Sequence, residues 1–268
     1  SLWFQPGGAE VRYQPLGAVG IMVPWNYPVF LAAAPLAAAL AAGNRALVKM
    51  SEVTPEISAL FAELVGRYFD EDELSVVEGD VDVARQFSAL PFDHLLFTGS
   101  TSVGRQVMRA AADNLTPVTL ELGGKSPAII GPGLASSGAF ARAVERIIIG
   151  KCLNAGQTCI APDYVLLPAG QEEAFITAAR EVLASCYPDI TRTADYSTIV
   201  DQRQYARLSG YLDEARAAGA KVVELMPGVA ADPARRHLPP LALLETGAEL
   251  RIMQEEIFGP LLPVLPYG

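Results

Sequence analysis

The sequence predicts an α/β protein of two lobes, residues 1–122 and 123–268, each a parallel sheet covered by helices. Three observations carry this reading. From Leu16 onward, short β-type runs alternate with helix-type runs, the pattern of a parallel sheet whose crossovers are helical. The first series stops at Gly123 and Gly124, a pair that suits a hinge or a close backbone approach. A hydrophobic share of 51% against 19% charged residues over 268 positions supports one large core or two smaller ones and excludes disordered and fibrous classes.

In the first lobe, strands are expected at 17–23, 46–49, 74–78, 94–98 and 117–120, with helices at 29–42, 54–68, 82–88 and 103–113. Gly43-Asn44 suits a helix end followed by a turn, and Thr54-Pro55 suits an N-cap with proline at the first helical position. The second lobe carries a strand at 127–130, a long helix at 137–150 and a strand at 164–167. Helices at 171–186 and 201–218 and strands at 221–224 and 241–244 follow. No internal repeat is visible, and alanine richness is the one compositional bias.

Several functions are excluded early. The net charge of −10 lacks the Lys/Arg surplus that a nucleic-acid binder needs. Cys152, Cys159 and Cys186 are an odd set without CxxC spacing, and His94 and His237 lack a ligand pattern. A disulfide framework and a metal site are therefore not expected, and a reducing, cytoplasmic setting is. The polar, turn-forming run 1–10 is no signal peptide. The most lipid-like run, 29–42, contains Pro35 and falls short of the roughly 20 residues of a membrane span.

Six segments can carry chemistry. In NAGQTC (154–159), Cys159 sits between a helix and a strand, where a thiol can face a cleft. A free cysteine is more often a small buried hydrophobe, the reading Cys152 and Cys186 keep, and a nucleophile needs surroundings that favour thiolate. Glu121, at the end of an apolar strand before the paired glycines, is either a partly desolvated general base or a strand-end surface charge. The run FTGSTSVG (97–104) passes from strand to helix through Gly99, Ser100 and Gly104, so helix amides can face a phosphate, although GxGxxG is absent. In VPWNYP (23–28), Asn26 offers an uncharged donor for an oxyanion, or the segment is a plain turn. KMSE (49–52) and QEEIFGP (254–260) read alternatively as solvated charge clusters.

Taken in this order, the six segments resemble the aldehyde dehydrogenase superfamily over essentially the whole chain. LTPVTLELGGKSP (115–127) and NAGQTCIAPDYV (154–165) look like its class 3 branch, and KMSE with FDHLLFTGSTSVGRQVM (92–108) looks most like the bacterial coniferyl aldehyde dehydrogenases. The resemblance implies two Rossmann-like lobes, an NAD(P)-binding one (1–122) and a catalytic one (123–268). It also implies oxidation of an aldehyde, aromatic by closest likeness, to its acid.

On that resemblance Cys159 attacks the aldehyde, the Asn26 amide and the Cys159 N–H hold the oxyanion, and Glu121 activates the water that hydrolyses the thioester. The cofactor residues implied are Trp25, Lys49, Glu52, Gly99, Ser100, Gly104, Glu256 and Phe258. A carboxylate such as Glu52 near a ribose 2′ position disfavours a 2′-phosphate, so NAD is expected over NADP, which class 3 relatives also use. Family members extend beyond both ends of this stretch, so a partial fold is expected, drawn from a parent that is a homodimer or larger. Two other readings compete. Acyl transfer to coenzyme A is disfavoured by Glu121, and a catalytically silent fragment that binds cofactor or partner alone is disfavoured by the competent residue at every reactive position and favoured by the missing family segments.

Overall fold

The computed structural model describes residue 7 and residues 10–135 and 137–268. The opening run 1–10 lies mostly outside the described residues. The chain divides into two compact units, Ser1–Leu122 and Gly123–Gly268. No helix among the described residues is long and apolar enough to cross a membrane.

The first unit alternates strictly: β1 (Ala18–Met22), α1 (Pro28–Ala41), β2 (Arg45–Lys49), α2 (Pro55–Tyr68), β3 (Leu74–Val77), α3 (Val81–Ser88), β4 (His94–Gly99), α4 (Thr101–Ala112) and β5 (Val118–Leu122). The strands run in the order β3-β2-β1-β4-β5, every neighbouring pair parallel. Apolar side chains fill both faces of the sheet. Ile21, Val48 and Leu74 pack with Ala32 and Leu36 of α1, while Leu95 and Phe97 pack with Phe87, Val107 and Ala111 of α3 and α4. The strand order reverses between β1 and β4, the kind of switch point at whose carboxyl ends open α/β sheets bind ligands.

Local chemistry sets the helix starts. Asp80 accepts from the amides of Asp82 and Val83 at 3.0 and 3.3 Å, a cap that contributes about 1 kcal/mol. Pro28 and Pro55 occupy first-turn positions of α1 and α2, where a missing N–H costs nothing. Thr54 holds the N-cap position of α2 but its hydroxyl makes no cap bond, so proline rather than threonine sets that start.

The second unit contains β6 (Pro127–Ile129), α5 (Pro132–Ala135), α6 (Phe140–Cys152), a 3-10 turn (Leu153–Gly156), β7 (Tyr164–Pro168), α7 (Glu172–Cys186) and α8 (Gln202–Ala217). It ends with β8 (Lys221–Glu224), β9 (Leu241–Leu244), α9 (Arg251–Gln254) and β10 (Leu261–Tyr267). Its sheet order is β6-β7-β10-β9-β8.

Two expectations need correction here. The second sheet is mixed rather than wholly parallel, because β8 runs antiparallel to β9. The connection over 225–240 contains no helix, and an antiparallel pair, unlike a parallel one, needs no helical crossover. The central strand β10 was not among the expected strands, and it carries Pro263 and Pro266, which lack ladder donors. The strand divides its pairing: residues 261–263 meet β9 and residues 264–267 meet β7. Its first four residues are fully buried, so burial of apolar surface outweighs the lost donors.

Candidate active site

In the first unit the expected residues gather at the carboxyl ends of the parallel strands. Met22 of β1 is level with Lys49 of β2 and Phe97 of β4, and Thr98 is level with Glu121 of β5. Trp25 and Asn26 follow in the β1–α1 connection, both half-buried. The Lys49 side chain is 3% exposed, donates to the Met50 carbonyl at 2.7 Å and pairs with Glu52 at 3.6 Å. Burial pulls the Lys49 pKa below the ordinary lysine value, and the Glu52 carboxylate opposes that shift.

After Gly99 closes β4, Ser100 caps α4, its hydroxyl 3.4 Å from the Val103 amide and 3.1 Å from the Ser102 hydroxyl. Gly104 is buried in the first turn, where a Cβ would press on Leu122 at 2.9 Å. Small residues thus let the α4 N-terminus lie close to the sheet. Glu121 is exposed rather than partly desolvated, because β5 is the edge strand of this sheet.

The second unit holds the thiol. Cys152 is buried, whereas Cys159 and Cys186 are exposed, so Cys186, expected as a small buried hydrophobe, is a helix-end surface residue. Burial pushes the Cys152 thiol up to about 12, which leaves it protonated and inert. Cys159 follows three consecutive left-handed residues, Asn154, Ala155 and Gly156, at φ of 50°, 52° and 76°. At Gly156 a Cβ would collide with the Gly259 carbonyl, so the turn requires glycine there.

That carbonyl belongs to the loop bearing Glu256 and Phe258, which is held from several sides. Lys125 donates to the carbonyls of Ile252 and Glu255 at 2.9 Å each and pairs with Asp163. The other Asp163 oxygen accepts from the Ile257 amide at 2.9 Å. Arg207 of α8 donates to the carbonyls of Glu256 and Ile257 at 3.3 and 2.8 Å, and the Tyr211 hydroxyl donates to the Glu255 carboxylate at 2.7 Å.

Glu256 itself rests against Gly123, where no Cβ fits, and accepts from the Gly124 amide. Burial raises its pKa above the ordinary carboxylate value, and that amide partly offsets the shift. One of its oxygens, Oε1, is buried with no hydrogen-bond partner among the described residues. Beneath this loop Lys151 is 2% exposed, its pKa lowered to about 8 by burial against the pull of Asp163.

Sequence reasoning missed Lys125, Asp163, Lys151 and Arg207. The first two stood inside quoted motifs, but their partners lie up to 130 residues away, so no local spacing could reveal them.

A doubly wound sheet with polar groups at its strand ends defines an α/β protein suited to binding a nucleotide. The model described as the aldehyde dehydrogenase family matches residues 5–268. A probable coniferyl aldehyde dehydrogenase of Pseudomonas aeruginosa is 56% identical over 266 residues, covering 99% of this chain and 54% of the relative. Aldehyde dehydrogenase family 3 member A2 of rat is 40% identical over 258 residues, covering 96% and 51%.

Among solved structures, a substrate-bound AldH of Staphylococcus aureus matches with a TM-score of 0.90 at 40% identity, covering 100% of this chain and 56% of that one. A Mycobacterium tuberculosis aldehyde dehydrogenase complexed with NAD+ matches at 0.82 and 32% identity, covering 94% and 52%. The chain belongs to the aldehyde dehydrogenase family. It spans about half the length of the curated relatives it matches.

Proposed function

We propose that the protein oxidises an aldehyde, of the aromatic coniferyl kind that its relatives' names carry, to the carboxylic acid with NAD. The observation that carries this is an exposed thiol on a strained, glycine-requiring turn packed against the Glu256 loop. The first unit is the cofactor domain in this reading and the second the catalytic domain.

The residues present fit such a cofactor. The orphaned Glu256 Oε1 is an acceptor awaiting a donor such as a ribose hydroxyl. Lys49 and Glu52 offer a donor and an acceptor for the other ribose, and Glu52 disfavours a 2′-phosphate. Trp25, Gly99, Ser100, Gly104 and Phe258 complete the binding set, Ser100 at a helix N-terminus suited to phosphate.

In this chemistry Cys159, as the thiolate, attacks the carbonyl carbon through Sγ and leaves a thiohemiacetal oxyanion. The Asn26 amide and the Cys159 N–H hold the oxyanion. NAD, when bound, would supply the hydride acceptor for that carbon, so that the acyl group would stay on Cys159 as a thioester. Glu121 takes a proton from water, which attacks the thioester and releases the acid and the thiol.

The test is NADH formation from a panel of aromatic and aliphatic aldehydes by the intact protein and by Cys159→Ala. Loss of turnover in the variant supports the assignment. Equal rates in the two proteins would sink it. Failure of the parent protein to bind NAD at all would favour instead a silent fragment that binds a partner alone.

A further inference from the structure

The turn before Cys159 is strained in a way that demands an anchor. Left-handed backbone is unfavourable for a non-glycine residue, and both Asn154 and Ala155 adopt it, immediately followed by Gly156. Such a conformation persists only where its surroundings over-determine it. The anchor is Gln157, two residues before the thiol and 2% exposed.

Its amide group is used at both ends. Nε2 donates to the Asn154 carbonyl at 3.0 Å, gripping the turn, and to the Thr198 carbonyl at 3.1 Å. Oε1 accepts from the Val200 amide at 2.9 Å. The segment it grips is itself tied down: the Ile199 amide donates to the Arg236 carbonyl at 3.0 Å, and the Tyr196 hydroxyl donates to the Leu238 carbonyl at 2.8 Å. Only a primary amide of this length offers two donors and an acceptor in one plane. A glutamate would set carboxylate oxygens against two carbonyls.

We infer that Gln157 is the positioning residue of the nucleophile: it locks the left-handed turn to the 198–200 segment and so aims Cys159. The inference rests on the reading of Cys159 as nucleophile. Aim matters to turnover, because misplacement of a reacting atom by about 1 Å can cost on the order of 100-fold. It matters little to a small reagent that approaches an exposed thiol freely.

The experiment compares the intact protein with Gln157→Glu, Gln157→Met and Cys159→Ala. It records kcat, KM for NAD, the alkylation rate of Cys159 by iodoacetamide without cofactor, and amide hydrogen exchange. In both Gln157 variants kcat should fall about 10- to 100-fold, while KM for NAD and the alkylation rate stay within about threefold. Exchange should quicken at 154–160 and at 198–200 together.

A kcat within about twofold of the parent in both variants would overturn the inference. So would an unprotected Val200 amide in the parent protein, a result that does not depend on either variant folding. Full activity in Cys159→Ala would instead overturn the nucleophile assignment, so the two failures are distinguishable.

Discussion

The Glu256 carboxylate lies against Gly123, in the space that the Cβ of any other residue there would fill. A glycine is therefore needed for packing, independent of its backbone freedom. Gly123→Ala should displace Glu256 and raise the dissociation constant for NAD about 10-fold, with the alkylation rate of Cys159 unchanged. Equilibrium binding of NAD, measured beside iodoacetamide kinetics, checks both parts.

Glu256 should also weaken the cofactor-free fold. Its pKa is raised by burial, so the folded state binds its proton more tightly than the unfolded chain does. Stability is then greatest at acid pH and falls as pH rises through the folded value. Glu256→Gln should be more stable than the parent at pH 8 and nearly equal to it at pH 4, read as denaturant midpoints. A difference that does not depend on pH would refute the buried-carboxylate argument.

Lys151 predicts the opposite slope. Its folded pKa of about 8 lies below the unfolded value of 10.5, so the unfolded chain holds more protons between those values and stability rises with pH there. The Lys151 contribution spans on the order of 3 kcal/mol. Relative to Lys151→Met, the parent should gain stability between pH 8 and 10.5, as urea midpoints across that range would show.

The Lys125–Asp163 pair should behave as a buried ion pair. The Asp163 side chain is 4% exposed and that of Lys125 is 20% exposed. Lys125→Met leaves a buried carboxylate short of its cation and should destabilise the protein by about 3 kcal/mol. Adding Asp163→Asn should recover part of that loss, and a double-mutant cycle by chemical denaturation measures the coupling.

The order of elements was legible from residues alone because helix and strand periods are local. Every strand of the first unit was anticipated to within a residue or two, and Pro28, Pro55 and Gly43 mark the ends of the intervening helices through fixed φ or permitted positive φ. The candidate residues were proposed from short, contiguous motifs. Two features failed for one reason. Strand β10 and the antiparallel β8 depend on which neighbours pair with them, and nothing in LLPVLPY announces that its first four residues, Pro263 included, will be buried.

Sequence by itself determined the α/β class and the family, and it singled out the candidate residues. Only the tertiary structure decided which cysteine is exposed, where Glu256 rests, and what holds Cys159 in place. Those outcomes turn on burial and on hydrogen bonds such as Gln157 to Val200 and Lys125 to Glu255, across 43 and 130 residues. Such partners are chosen by packing, which no local pattern encodes.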